Sequence, residues 1–193
     1  MRIGLLGGSF DPPHNGHLLA AGDAFDALKL DRLVVVPAAV QPLKVGLSGA
    51  SEAQRLAMCR LLVHGDPRFT VDSIEIDRGG LSYTVDTLGT YAARWPDAEL
   101  FWLVGADVMR TFAKWRSPER ITALATLVVM VRAGDTADLA ALPAAGKRPQ
   151  ALETRRIDIS STEVRQRVRE GKSIRGFVPD AVAAFIAAER LYQ

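Results

Sequence analysis

Ile3 to Ala21, IGLLGGSFDPPHNGHLLAA, passes from an apolar run through a Gly/Pro turn into two histidines that open an apolar helix. Ile3, Leu5 and Leu6 end at Gly7-Gly8 and suit a strand buried on both faces of a parallel sheet. Pro12 and Pro13 lack N–H groups and restrict the residues before them, so helix can begin only near His14 or Asn15. A helix N-terminus offers unpaired N–H groups and the positive end of the dipole, which suits an anion. Ser9, His14 and His17 add side-chain donors, and Gly7 and Gly8 let a bulky phosphate approach the backbone. The stretch is expected to cradle a triphosphate.

Outward from it, Leu18 to Leu28 carries a helical apolar stripe and Leu33 to Pro37 a β-branched run, giving a right-handed βαβ unit. The expected fold is α/β: a single-domain, Rossmann-like, doubly wound parallel sheet with helices on both faces. The domain spans residues 1–193, with a helical C-terminal part from about 160 to 193 packed on it. Ligands of such sheets bind outside the carboxyl ends of the strands, so the loop after Pro37 brings Lys44 to the same edge as His14 and His17.

Ser51 to Gln54 reads as a capping box, opening a helix that buries Leu56, Ala57, Leu61 and Leu62 and leaves Arg55 as a surface charge. Phe69 to Arg78 alternates like a strand. Ser82-Tyr83-Thr84 then forms a second turn-to-helix junction, suited to an anion or to simple capping. Leu100 to Val104 is a buried strand ending at Gly105-Ala106-Asp107, where Asp107 can accept from ribose hydroxyls or cap the next helix. Trp115, about two turns along that helix, can stack on a planar ring or fill core. Leu127 to Val131 is another strand, and Ala133 to Gln150 reads as a mobile surface loop. Arg155 to Ile159 returns to the sheet. Ser160 to Glu163 opens a helix with a capping box, placing Ser161 and Arg165 where hydroxyls, N–H groups and a guanidinium fit a pyrophosphate. Pro179 to Leu191 is a last amphipathic helix, a lid on the core.

With 193 residues, 48% of them hydrophobic, and a net charge of +2, one full core is affordable and nothing global calls for nucleic acid or an anionic membrane. Basic charge is instead local, with nine Lys/Arg against four acids between Lys147 and Arg175. Cys59 is the single cysteine, which excludes an internal disulfide and multi-cysteine metal sites. No targeting or membrane-spanning run is legible, so the expected location is cytoplasmic.

The glycines fit neither G-x-G-x-x-G nor the P-loop pattern. GSFDPPHNGH resembles instead the G-[ST]-F-D-x-x-H-x-G-H signature of the nucleotidyltransferase superfamily. With PAAVQPLK, SYTVDTL, GADVMRTFAKW and ISSTEVR in that order, nearly the whole chain resembles the bacterial nicotinate-nucleotide adenylyltransferases. That resemblance implies transfer of AMP from ATP to nicotinate mononucleotide, giving nicotinate adenine dinucleotide and pyrophosphate in NAD biosynthesis. It implies catalytic roles for His14, His17, Lys44 and Arg165. ATP would be bound by Gly8, Ser9, Phe10, His17, Gly105, Asp107, Ile159, Ser160, Ser161 and Arg165, and nicotinate mononucleotide by Lys44, Ser82, Tyr83, Thr84, Trp115 and Arg132. Mg²⁺ would be held mainly by the ATP phosphates, with no protein metal site, and the resemblance leaves room for a homodimer. Where the family commonly reads Pro-His-Lys, this chain has Pro42-Leu43-Lys44. AMP transfer to phosphopantetheine, CMP transfer to a phospho-alcohol, a nucleotide-sensing module and a zinc site at the two histidines are the competing readings.

Overall fold

Short apolar runs buried on both faces need a sheet covered on both sides, and the computed structural model of the chain supplies one. It describes residues 1–42, 49–136, 139, 142 and 146–193. Strands β1 (Arg2–Gly8), β2 (Arg32–Pro37), β3 (Phe69–Val71), β4 (Glu99–Gly105), β5 (Thr126–Arg132) and β6 (Gln150–Thr154) form one sheet in the order β3-β2-β1-β4-β5-β6. Every pairing is parallel. The crossovers carry α1 (Asn15–Ala27), α2 (Glu52–Val63), α3 (Ile74–Arg78), α4 (Thr84–Arg94) and α5 (Pro118–Leu124), and α6 (Ser161–Arg169) and α7 (Asp180–Ala188) follow.

Alternation along the strands divides the core. Ile3, Leu5, Val34, Val36, Trp102 and Val104 pack with Val85, Leu88 and Tyr91 of α4 and Ile121 of α5. Leu6, Leu33, Val35, Phe101, Leu103 and Val128 face the other way, onto Ala21 and Ala24 of α1 and Cys59 and Leu62 of α2. The C-terminal helices make a third cluster, in which Val164, Val182, Ile186 and Leu191 surround Met58 of α2. They cover the α2 layer rather than the sheet. Among the described residues no helix is long and apolar enough to cross a membrane.

Several local expectations give way to the tertiary structure. Phe69 to Arg78 is not one strand: pairing with β2 ends at Val71, and Ile74–Arg78 turns into helix. Asp72 opens that turn by accepting from the Ile74 N–H at 3.0 Å. Two 3₁₀ turns, Ala106–Arg110 and Phe112–Lys114, replace the single helix expected after β4, and Trp115 closes the second. The last strand is Gln150–Thr154, so Arg155 to Ile159 lies beyond the sheet edge, and within the expected loop before it residues 137, 138, 140, 141 and 143–145 lie outside the described residues. In α2 the buried face is Arg55, Met58, Cys59 and Leu62, one notch round from the expected one.

Gly7 is required by packing: a Cβ there would sit 2.5 Å from the Trp102 ring, whereas one on Gly22 would meet nothing within 4 Å. The glycine thus accommodates a core indole, not a phosphate. Gly7→Ala is expected to lose about 1–3 kcal/mol, and Gly22→Ala, inside α1, to gain about 0.5–1 kcal/mol. Urea midpoints of the two variants against wild type check both signs.

Candidate active site

The carboxyl ends of β1, β4 and β5 border a cleft of about 830 Å³. His14, His17, Gly105, Asp107, Arg132 and Ile159 line it, as do Arg110, Thr136 and Ile157, which sequence reasoning did not single out. Arg110 stands in the quoted GADVMR run, three residues after Asp107, so its signal was present.

The histidines build the wall at the α1 N-terminus. His14 is the N-cap residue, 7% exposed, and its ring lies on that of His17 with centroids 3.7 Å apart and planes 30° from parallel. Stacked rings point their in-plane lone pairs side by side, a poor start for shared zinc, and no group of three His, Cys, Asp or Glu among the described residues could hold a metal. The His14 N–H donates to His17 Nδ1 at 3.2 Å, so a neutral His17 carries its proton on Nε2. Asn15 N–H donates to the Phe177 carbonyl at 2.8 Å and His17 N–H to the His14 carbonyl at 2.9 Å. Most first-turn amides are therefore already partnered, and the imidazoles are the donors this helix end offers. A Cβ at Gly16 would sit 3.0 Å from His14 Nδ1, which explains the glycine between the histidines. Phe10 is buried at φ 50°, its ring edge-on to His17 at 5.0 Å and against Gly8, so only its backbone can serve a ligand.

Behind the turn lies the residue most misjudged from sequence. Arg55 is 2% exposed. Its Nη1 donates to the carbonyls of Ser9 (2.8 Å) and Ala38 (2.6 Å), and its Nη2 to that of Ala39 (2.8 Å). One guanidinium thus clamps the ends of β1 and β2. Its spacing with Met58, Cys59 and Leu62 on one helical face was the available signal. Asp11, also buried, accepts from Gly49 N–H (2.8 Å), Ala50 N–H (3.1 Å) and the Tyr192 hydroxyl (2.7 Å). Burial and the Asp11 carboxylate push the Tyr192 phenol up, so it remains a donor.

α6 is strapped to the same turn. Ser160 caps it by accepting from Glu163 N–H at 3.1 Å, Ser161 Oγ donates to the Pro12 carbonyl at 2.8 Å, and Arg165 donates to the Asp11 carbonyl at 2.6 Å and to Thr162 Oγ1 at 3.2 Å. Part of the local basic charge is likewise paired, Arg155 with Asp23 at 2.6 Å, Arg156 with Asp158 at 3.3 Å and Lys172 with Glu170 at 2.8 Å, and Arg132 ahead of that segment pairs with Asp158 at 2.9 Å. Ser9 Oγ donates to Gln41 Oε1 at 2.7 Å. Leu43 and Lys44 lie outside the described residues.

Ser82, Tyr83, Thr84 and Trp115 are not in the cleft. Tyr83 and Trp115 pack on the opposite side of the sheet, against the α4 and α5 core, while Arg132 lies with the histidines. α4 starts at Thr84 with no side-chain cap, so neither Ser82 nor Thr84 caps it, and Arg116 lies 4.8 Å over the Tyr83 ring. Ser82 Oγ instead accepts from Ala39 N–H at 2.9 Å. The Arg55 clamp thereby links the histidine wall to the Ser82 turn through Ala39.

The cytidylyltransferase-like family model matches residues 5–167. A Gemmatimonas aurantiaca protein named "probable nicotinate-nucleotide adenylyltransferase" is 50% identical over all of this chain and 93% of its own, and a Thermus thermophilus protein of the same name is 47% identical over all of both chains. The chain belongs to the nicotinate-nucleotide adenylyltransferases. The nicotinic acid mononucleotide adenylyltransferase of Plasmodium falciparum, solved with NaAD, shares the fold with a TM-score of 0.81 at 18% identity, covering 99% of this chain and 97% of that one. Family membership accounts for the order of the motifs.

Burial lowers the His14 pKa to about 4. The unfolded chain takes up that proton below its ordinary value of 6.5 and the folded chain only near 4, so stability falls as pH drops through this window. The His14 share is of order 3 kcal/mol. Urea unfolding from pH 7 to 4.5 should show a steeper loss in wild type than in His14→Gln, and parallel curves would contradict it.

Proposed function

We infer that the protein transfers the adenylyl group of ATP to nicotinate mononucleotide, giving nicotinate adenine dinucleotide and pyrophosphate. The observation that carries this reading is the stacked His14/His17 pair at the α1 N-terminus, set in a cleft whose far wall is Gly105 to Asp107, in a chain of this family.

ATP enters with its Mg²⁺, the ion held by the phosphates. The His17 Nε2–H and the His14 ring take the triphosphate, Asp107 accepts from ribose hydroxyls, and Ile159 lines the nucleoside side. Arg165 uses two of its five N–H donors on Asp11 and Thr162, leaving the others for departing pyrophosphate, beside Ser161 and the α6 N-terminus. Lys44 adds positive charge.

Nicotinate mononucleotide sits across the sheet edge. Its ring stacks on Trp115, and its carboxylate accepts from the uncapped N–H groups at Thr84. An amide substituent would turn its own NH₂ toward those donors, which favours the acid over nicotinamide mononucleotide.

A phosphate oxygen of the mononucleotide attacks the α-phosphorus of ATP in line. The new P–O bond forms as the bond to the β-phosphate oxygen breaks, and the electron pair leaves with pyrophosphate. No protein nucleophile is needed, so positioning and charge neutralisation supply the catalysis. The setting fits a reducing cytoplasm, where the lone buried Cys59 needs no partner.

His17→Ala should lower kcat by about 10²–10⁴-fold while the protein still melts cooperatively. Pyrophosphate release is the assay, with nicotinate mononucleotide, nicotinamide mononucleotide and phosphopantetheine offered separately. The first acceptor should be strongly preferred, and turnover unchanged in the variant, or confined to phosphopantetheine, would overturn the reading.

A further inference from the structure

Asp11 carries a buried carboxylate, 5% exposed, that the transfer chemistry does not use. A buried carboxylate needs donors, and this one takes them from two distant segments. Ahead of α2, Gly49 N–H and Ala50 N–H donate to it at 2.8 and 3.1 Å, and from beyond α7 the Tyr192 hydroxyl donates at 2.7 Å. The phenol stays protonated beside that carboxylate, so its single proton points at Asp11.

The fold goes out of its way to deliver this hydroxyl. After α7, Leu191 N–H donates back to the Ile186 carbonyl at 3.0 Å, and Leu191 and Tyr192 turn inward beside Met58 of α2, both buried. The turn takes Arg190 and Tyr192 to φ 51° and 65°, a left-handed backbone that side chains of this size adopt only under strain. Gly49 leaves the room: a Cβ there would sit 3.1 Å from the Tyr192 ring.

Asp11 in turn anchors residues given to the triphosphate. Arg165 donates to the Asp11 carbonyl at 2.6 Å, and Ser161 Oγ donates to the Pro12 carbonyl at 2.8 Å. Two residues beyond Pro12 stands His14, stacked on His17. The turn at Asp11 and Pro12 therefore sets the spacing between the histidine pair and the arginine, while neither Asp11 nor Tyr192 lines the cleft.

We propose that Tyr192 is a positioning residue for the nucleotide: by holding the Asp11 carboxylate it keeps Arg165 and Ser161 in register with His14 and His17, so that ATP and pyrophosphate meet both ends of their site at once. This rests on the phosphate placement given above. Tyr192 touches no substrate, and it sets affinity for ATP and pyrophosphate rather than for the acceptor.

Tyr192→Phe keeps the ring in the core and removes only the donor, and Gly49→Ala presses on the same ring from the other side. Ile186→Val, in the same cluster, trims packing without touching the link and serves as the control for stability alone. KM for ATP, KM for nicotinate mononucleotide and the inhibition constant of pyrophosphate are measured in wild type and each variant, with thermal melts alongside. Tyr192→Phe should raise the ATP KM and the pyrophosphate constant together, about tenfold, and leave the acceptor KM within about twofold. Gly49→Ala should shift the same two constants in the same direction, and Ile186→Val should lower the melting temperature and shift none of the three. Tyr192→Phe protein that melts lower with all three constants unchanged, or whose acceptor KM rises as much as its ATP KM, overturns the assignment, as does a matching shift in Ile186→Val. Wild type that transfers AMP with Tyr192→Phe unaffected removes this proposal alone. Wild type that releases no pyrophosphate from ATP removes the phosphate placement beneath it.

Discussion

The Arg55 guanidinium, shut away from water and ringed by carbonyl oxygens of Ser9, Ala38 and Ala39, is the interaction on which the site depends. Parallel strands end in carbonyls and amides that lack ladder partners once the chains diverge, and buried polar groups must find partners. A planar cation with several fixed donors can satisfy carbonyls on two strands at once. Removing it would leave those buried oxygens without its donors and weaken the tie between the signature turn and the β2 loop, where the Ser9–Gln41 bond and the Asp11 bonds to Gly49 and Ala50 would remain. Nothing in the proposed reaction calls on Arg55, and yet both halves of the site are located by it.

From that clamp the architecture divides the work. On the α1 side, the stacked histidines, Gly105 and Asp107 line a cleft suited to a triphosphate nucleotide. On the α4 side, Ala39 holds Ser82, Glu75 accepts from the Thr87 hydroxyl, and Tyr83 and Trp115 pack on the opposite core. In the proposed reaction, substrates bound on the two faces of the sheet would meet at its carboxyl edge for the in-line transfer. The C-terminal segment closes the arrangement from behind, with Tyr192 on Asp11 and Ser161 and Arg165 on the Pro12 and Asp11 carbonyls.

Much of this was legible in the order of residues. The apolar runs Leu33 to Pro37, Leu100 to Val104 and Leu127 to Val131 announced buried parallel strands, because a strand covered on both faces has no polar side to show. Pro12-Pro13 fixed the helix start at Asn15, and Ser51 with Gln54 closes the expected capping box. The errors share one cause. Phe69 to Arg78 alternates like one strand but folds as helix from Ile74, and Arg55 looks like a surface charge and is buried, because what each segment touches lies far along the chain. Gly7 looked like a phosphate contact and is the seat of the Trp102 ring.

By itself, the sequence determined the strand-turn-helix at the N-terminus, the identity of the two histidines, the parallel class of the sheet and the family. These follow from short-range rules: side-chain periodicity, proline geometry, and motif residues a few positions apart. Only the tertiary structure decided that Arg55 lies buried behind the turn, that α6 straps the turn instead of standing free over it, and that Tyr83 and Trp115 pack across the sheet from the histidines. Those depend on hydrogen bonds between residues as distant as Tyr192 and Asp11, and no local pattern encodes which buried donor will meet which acceptor.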